Sequence, residues 1–248
     1  MGELDGKAAL VTGAGQGAGR GIALALAGAG AAVALVGRTR SKLDAVREEV
    51  EQAGGRAVVL PGDVADADTV AAVVDRAVGA LGAIDILANV AHHHVRRGRL
   101  LDMDETDVDA NWMTGPLATL RFMRACHPHL RGDGVIINTG SGAQFRPQDY
   151  GIYAAAKDAV AAITRAAAVE WGPDGIRAHL IVPHAVSPAM EADLADPARR
   201  AATLASIPLG RFGRPDDIGR AAVFLAGPAA AFMTGQVLLV DGGMSYHR

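Results

Sequence analysis

The sequence predicts a doubly wound α/β fold in which residues 1–248 form one domain around a single seven-stranded parallel sheet flanked by helices. Three observations carry this expectation. Short runs that are apolar throughout alternate with longer stretches of helical periodicity, the pattern of strands covered on both faces. A glycine cluster, Thr12-Gly13-Ala14-Gly15-Gln16-Gly17-Ala18-Gly19, follows the first apolar run and opens the first helical stretch. No linker, low-complexity tract or short repeat divides the 248 residues, and α/β chains of about 250 residues form single domains.

The elements follow in order. Ala8–Val11 reads as a strand and Ala18–Ala29 as a helix of small residues. Ala32–Val36 is the second strand. Ser41–Ala53 is an amphipathic helix with Leu43, Val46 and Val50 on one face. Ala57–Leu60, Ala67–Leu81 and Ile84–Ala88 read as strand, helix and strand. A long helix is expected over Asp107–Leu130, a strand over Val135–Asn138, a helix over Tyr150–Trp171 and a strand over Ile176–Val182. Pro188–Ser206 reads as a loop with helical pieces. Pro215–Ala226 is a helix with proline at its favoured start, and Val237–Val240 is the last strand. In such sheets ligands bind beyond the carboxyl ends of the strands, so the informative residues should follow each strand.

Composition narrows the function classes. Half the residues are hydrophobic, enough for a sizeable core. The net charge is −3, from 24 basic and 27 acidic residues, which argues against nucleic acid as a partner. A single cysteine, Cys126, forms no internal disulfide and no thiolate metal site, which points to a reducing, cytoplasmic setting. The first residues do not read as a secretory signal, and no apolar run reaches the length of a membrane span.

In the glycine cluster, the backbone can turn sharply and approach a pyrophosphate, and the helix N-terminus adds free N–H groups and a positive dipole end. Tyr153 and Lys157 stand four apart on a helix, so both side chains share one face. A neighbouring ammonium favours the phenolate, which makes the phenol a usable acid or base for carbonyl chemistry. Ser141 follows a strand and can hydrogen-bond a reacting oxygen. A solvated Tyr–Lys pair is the competing reading of these two residues taken alone.

Taken together, these residues resemble the short-chain dehydrogenase/reductase family over nearly the whole chain. The glycine loop, Asp63-Val64, Asn89-Val90-Ala91, Asn111, Ser141, Tyr153 and Lys157 occur in the family's order. So does the ending Phe224-Leu225, Thr234-Gly235-Gln236 and Val240-Asp241-Gly242-Gly243. The resemblance implies a Rossmann fold and a catalytic tetrad of Asn111, Ser141, Tyr153 and Lys157. Tyr153 moves the proton, Ser141 orients the carbonyl, Lys157 holds the nicotinamide ribose and lowers the tyrosine pKa, and Asn111 holds a relay water. It also implies cofactor contacts from Gly13, Gln16, Gly17, Ala18, Gly19, Arg38, Asp63, Val64, Asn89, Ala91, Pro183, Val186 and Ser187, beside Tyr153 and Lys157. A homotetramer, or a homodimer, is implied as well, with Asp107–Leu130 and Tyr150–Trp171 as dimer faces.

The second strand ends Val36-Gly37-Arg38, where an acidic residue would select NAD(H). A guanidinium suits a phosphate, so NADP(H) is the expected cofactor and NAD(H) the alternative. Arg38 facing solvent or stacking on adenine is the bland reading, and Gln16 stands where many NADP-binding relatives carry a basic residue.

The chain departs from the family near the expected substrate. His92 replaces the glycine of Asn-Asn-Ala-Gly, His184 the glycine after Pro183, and His179 a common asparagine. Ser187 stands for a threonine. His92, His93, His184 and Met190 are therefore expected at the substrate pocket, with His92 and His184 narrowing it. Adjacent histidines on one loop do not converge on one ion, so no metal is expected. Arg96, Arg97 and Arg99 form a basic run that is either a solvated loop or a guide for an acidic substrate. Cys126 reads as a packed thiol.

The expected activity is ketoreductase-like transfer of hydride between NADP(H) and a carbonyl or secondary alcohol on a small molecule, with Tyr153 as acid/base. A non-redox isomerase, dehydratase or epimerase on the same scaffold, an NAD(H)-dependent alcohol dehydrogenase, and a cofactor-sensing protein are the alternatives.

Overall fold

The computed structural model describes residues 2–92, 97–186, 190–191 and 194–245. Seven parallel strands form one sheet: β1 (Ala8–Thr12), β2 (Ala32–Gly37), β3 (Ala57–Pro61), β4 (Ile86–Asn89), β5 (Gly134–Thr139), β6 (Ile176–Pro183) and β7 (Val237–Val240). Their order is β3-β2-β1-β4-β5-β6-β7. The order reverses between β1 and β4, which opens a crevice at the carboxyl ends of these two strands. This is the doubly wound architecture the alternating pattern predicts.

The helices are α1 (Gly17–Gly28), α2 (Arg40–Gln52), α3 (Ala67–Leu81), α4 (Glu105–Trp112), α5 (Ala118–Leu130), α6 (Gly151–Glu170), α7 (Pro197–Ala205) and α8 (Pro215–Ala226). One core packs Ile22 and Leu26 of α1, Leu43 and Val46 of α2, and Ile218 and Leu225 of α8 against the sheet. The opposite core holds Val73 of α3 and Phe122, Met123 and Cys126 of α5. Strand residues alternate between the two cores, as in Ala9 and Val11 on one side and Leu10 on the other. Burial pushes the Cys126 thiol up to about 12, so it is a packed, unreactive group.

Two sequence expectations change in detail. The expected strand Ile84–Ala88 runs over Ile86–Asn89 instead. Asp85 is diverted: its carboxylate accepts from the backbone N–H of Ala8 at 2.7 Å and takes an ion pair from Lys7 at 3.5 Å. The expected helix Asp107–Leu130 starts earlier and is broken in the middle. α4 begins at Glu105, set by a capping box in which Asp104 and Asp107 satisfy each other's backbone N–H groups. A π-helical turn, Met113–Leu117, separates α4 from α5 and contains Pro116, which has no N–H to donate. Within the Pro188–Ser206 stretch, Pro197–Ala205 is a helix started by the Asp196 side chain accepting from the Ala198 N–H.

Candidate active site

The crevice at the switch point is a cavity of about 460 Å³. Its floor is the end of β1 and the start of α1. Thr12 Oγ1 accepts from the N–H groups of Val90 and Ala91, at 3.0 and 3.1 Å, and so ties the ends of β1 and β4 together. Gly13 has φ +68°, a conformation that favours glycine, and a Cβ there would stand 3.0 Å from the Ala91 backbone. A Cβ on Gly19 would overlap the Gly13 carbonyl. The loop therefore closes on itself only with glycine at both positions. The Gln16 side chain at the N-cap does not cap the first turn of α1, which leaves its N–H groups for a ligand.

Of the residues expected to contact a cofactor, Gly13, Gln16, Gly17, Ala18, Gly19, Arg38, Asp63, Val64, Ala91, Tyr153, Lys157 and Pro183 all line this one cavity. Asn89 and Val186 do not. Asn89 is buried and braces the sheet: its Nδ2 donates to Asn138 Oδ1 at 2.9 Å, and its carbonyl accepts from Thr139 Oγ1 at 3.0 Å. Ser187 and His93 lie outside the described residues. Lys42, on the first turn of α2, also lines the cavity. It was not singled out from the sequence, because a lysine on an amphipathic helix reads as a solvated face. Its position four residues after Arg38 was the available signal.

Ser141, Tyr153 and Lys157 meet at the other end of the cavity. Ser141 starts a short 3₁₀ turn, Gly142–Gln144, and its Oγ accepts from the Ala143 N–H at 3.2 Å. Lys157 Nζ lies 5.7 Å from the centroid of the Tyr153 ring and donates to the Thr139 carbonyl at 2.8 Å. Burial of this ammonium lowers Lys157 to about 7. Burial also holds the Tyr153 phenol above its ordinary value, with a hydrogen bond from Ser141 pulling the other way. The direction is the reverse of what an adjacent ammonium alone would produce, because desolvation is the largest influence on both groups.

Asn111 does not line the cavity. It is buried on α4, its Nδ2 donates to the Asp107 carbonyl at 2.7 Å, and its Oδ1 lies 3.3 Å from His92 Nε2. His92 does line the cavity, with its ring edge-on to Tyr153. The other expected pocket residues are placed differently. His184 and Met190 are not among the lining residues. His184 sits between Pro183 and Ala185, which do line it, and the Val240 carbonyl holds its N–H at 2.9 Å. Burial lowers its pKa while nearby Asp241 opposes. Arg97 donates to the Tyr150 hydroxyl, with its guanidinium 4.8 Å from that ring's centroid, so this arginine folds onto Tyr150, whose ring centroid lies 6.4 Å from that of Tyr153. His179 is fully buried on β6.

Among the described residues, no helix is long and apolar enough to cross a membrane.

The family model described as Enoyl-(Acyl carrier protein) reductase matches residues 13–245. The chain is 38% identical to a 12α-hydroxysteroid dehydrogenase from Clostridium sp. (strain ATCC 29733 / VPI C48-50), covering 98% of both chains. The structure is similar to that of a short-chain dehydrogenase from Burkholderia cenocepacia J2315 in complex with NADP, with a TM-score of 0.90 and 33% identity over 98% of this chain and 99% of the other. It is also similar to a 7α-hydroxysteroid dehydrogenase complexed with NADH and 7-oxo glycochenodeoxycholic acid. That TM-score is 0.92, with 32% identity over 97% of this chain and 94% of the other.

Proposed function

The chain belongs to the short-chain dehydrogenase/reductase family, a family of oxidoreductases, and on that premise we propose that it transfers hydride between NADP(H) and a carbonyl or secondary alcohol of a small molecule. The observation that carries the reading is the continuity of one cavity from Arg38, past the glycine loop, to Ser141, Tyr153 and Lys157. A dinucleotide fits this cavity on two grounds. The glycine loop leaves space that side chains would fill, and the first turn of α1 offers uncapped N–H groups to a pyrophosphate.

Gly13 and Gly17 to Gly19 would hold the pyrophosphate, Asp63 and Val64 the adenine, and Arg38 with Lys42 a 2′-phosphate. The bound nicotinamide would supply or accept the hydride. Ser141 would donate a hydrogen bond to the carbonyl oxygen and fix its position. Tyr153 would then deliver its phenolic proton to that oxygen, or take it back in the alcohol direction. Lys157, held by the Thr139 carbonyl, would stand behind the phenol as a cation 5.7 Å from its ring centroid and bind the ribose. Asn111 would act from outside the cavity, through its hydrogen bond to His92.

The proposal includes a single-domain chain, a homotetramer or homodimer, and a cytoplasmic location. The one sheet that draws strands from Ala8 to Val240 supports the first. Exposed Trp112 and Met113 beside α4 and α5, and Val169 on α6, support the second, since they lie on the expected dimer faces. The buried lone thiol of Cys126 is consistent with the third.

Parallel fluorescence titrations with NADPH and NADH, followed by a carbonyl screen with the tighter cofactor, test the reading. NADPH binding with substrate-dependent oxidation is the expected result. Binding of neither nucleotide would overturn it.

A further inference from the structure

We propose that His92 is a positioning residue for Tyr153, holding the phenol ring edge-on and anchoring it through Asn111 to α4. This deepens the reading above, since it rests on Tyr153 being the group that moves the proton.

Three observations converge on it. The first is the ring geometry. The imidazole and phenol centroids are 4.9 Å apart with planes at 80°, an edge-to-face contact of the kind aromatic rings favour. The imidazole thereby covers one side of the Tyr153 ring.

The second is the hydrogen bond that fixes the imidazole. Asn111 Nδ2 donates to the Asp107 carbonyl at 2.7 Å, so the amide oxygen is the atom turned toward His92. An amide oxygen only accepts. His92 Nε2, 3.3 Å away, must therefore carry the proton, which sets the tautomer of the neutral ring. A chain of contacts runs from the α4 backbone through Asn111 and His92 to the ring of Tyr153.

The third is a socket that admits the ring. Gly115 lies in the π-helical turn Met113–Leu117, and a Cβ on it would stand 2.5 Å from His92 Cε1 and 3.0 Å from Nδ1. Glycine at 115 and histidine at 92 are thus matched, although 23 positions separate them. Gly115 in this π turn is the residue whose missing Cβ leaves room for the imidazole. Histidine at a position where the family pattern has glycine is accommodated by this pairing.

The consequence is a phenol held in one orientation with water kept from one side. Burial is the dominant influence on Tyr153, and His92 supplies part of that burial.

The test reads the phenol directly. Tyrosine ionisation is followed by ultraviolet absorbance in the full chain, and each protein is compared with its Tyr153→Phe counterpart to isolate that one phenol. His92→Ala should lower the Tyr153 ionisation by about one pH unit, because water reaches the exposed ring face. His92→Gln retains a donor able to reach Asn111 and should stay close to the wild type. Gly115→Ala should reproduce the His92→Ala shift, and should add nothing in the His92→Ala background. Tyr153 titrating identically in wild type and His92→Ala overturns the proposal, as does Gly115→Ala acting in full without His92. If His92→Ala does not fold, Gly115→Ala and His92→Gln decide the matter in the same way. NADPH fluorescence on the same samples keeps the two claims apart: a wild type that binds no nucleotide overturns the functional reading, while the tyrosine titration still decides the role of His92.

Discussion

Lys42 Nζ donates to Gln16 Oε1 at 2.6 Å, joining the first turn of α2 to the glycine loop across the mouth of the cavity. Arg38 lies beside this bridge, exposed and with no ion-pair partner among the described residues. Two cations and an amide therefore border the place where β2 ends. Lys42 thus places a basic charge beside the loop, held there by Gln16. Arg38→Asp should reverse the preference between NADPH and NADH, with NADPH weakened about tenfold or more through loss of a charge-assisted contact. Lys42→Ala should weaken NADPH by a smaller factor and leave NADH unchanged. Fluorescence titrations with both nucleotides measure this, and an unchanged ratio in Arg38→Asp would show that Arg38 does not read a 2′-phosphate.

Tyr153→Phe should lower turnover by about 10²–10⁴-fold, the range expected for loss of a positioned proton donor. Nucleotide affinity should hardly move, because the ring and the Lys157 contact to Thr139 remain. Single-turnover NADPH oxidation and a binding titration on the same variant separate the two quantities. A variant that keeps full turnover would remove Tyr153 from the chemistry.

Most of the sheet was legible because its strands are apolar on both faces, so each stood out as a continuous run. The glycine loop and the Tyr153–Lys157 pair were legible because their spacing is local. What the sequence hid depends on distant partners. The start of β4 is set by Asp85 reaching Ala8, an interaction across 77 positions. The break after α4 follows from Pro116 and the π turn, which an apolar periodicity does not register. The side-chain partners of Asn111, Asp107 and His92, are likewise set by the fold. Pro183 and Ala185 line the cavity while His184 between them does not, a distinction that place after β6 does not reveal.

Lys157 carries a stability cost for its position. Its pKa is about 7 in the folded chain and 10.5 ordinarily, so between these values the unfolded chain binds more protons. Stability therefore rises with pH across that window, and the cost is nearly complete at pH 7. Lys157→Met keeps the volume without the charge. It should stabilise the fold at pH 7 by about a few kcal/mol while abolishing turnover, and the gain should shrink as pH approaches 10.5. Denaturant unfolding of both proteins at pH 7 and pH 10 provides the check. A variant less stable than wild type at pH 7 would mean that the Thr139 hydrogen bond outweighs desolvation.

His179 should set part of the acid limb of stability. The ring is fully buried on β6, two residues from Arg177, whose guanidinium donates to the Leu225 and Ala230 carbonyls at 2.7 and 3.0 Å and so holds the end of α8. Burial, and then the charge of Arg177, lower the imidazole to about 4 from 6.5. The folded chain thus resists protonation that the unfolded chain accepts. Its contribution is intact above about pH 6.5 and is lost as pH falls through about 4. The loss amounts to roughly 3 kcal/mol, and it adds to the ordinary effect of protonating carboxylates. His179→Asn removes the titrating group and should flatten the stability profile between pH 6.5 and pH 4 relative to wild type. Thermal unfolding at half-unit steps across that range measures the difference. Parallel profiles for the two proteins would show that protonation at 179 is absorbed by movement of Arg177 away from the ring.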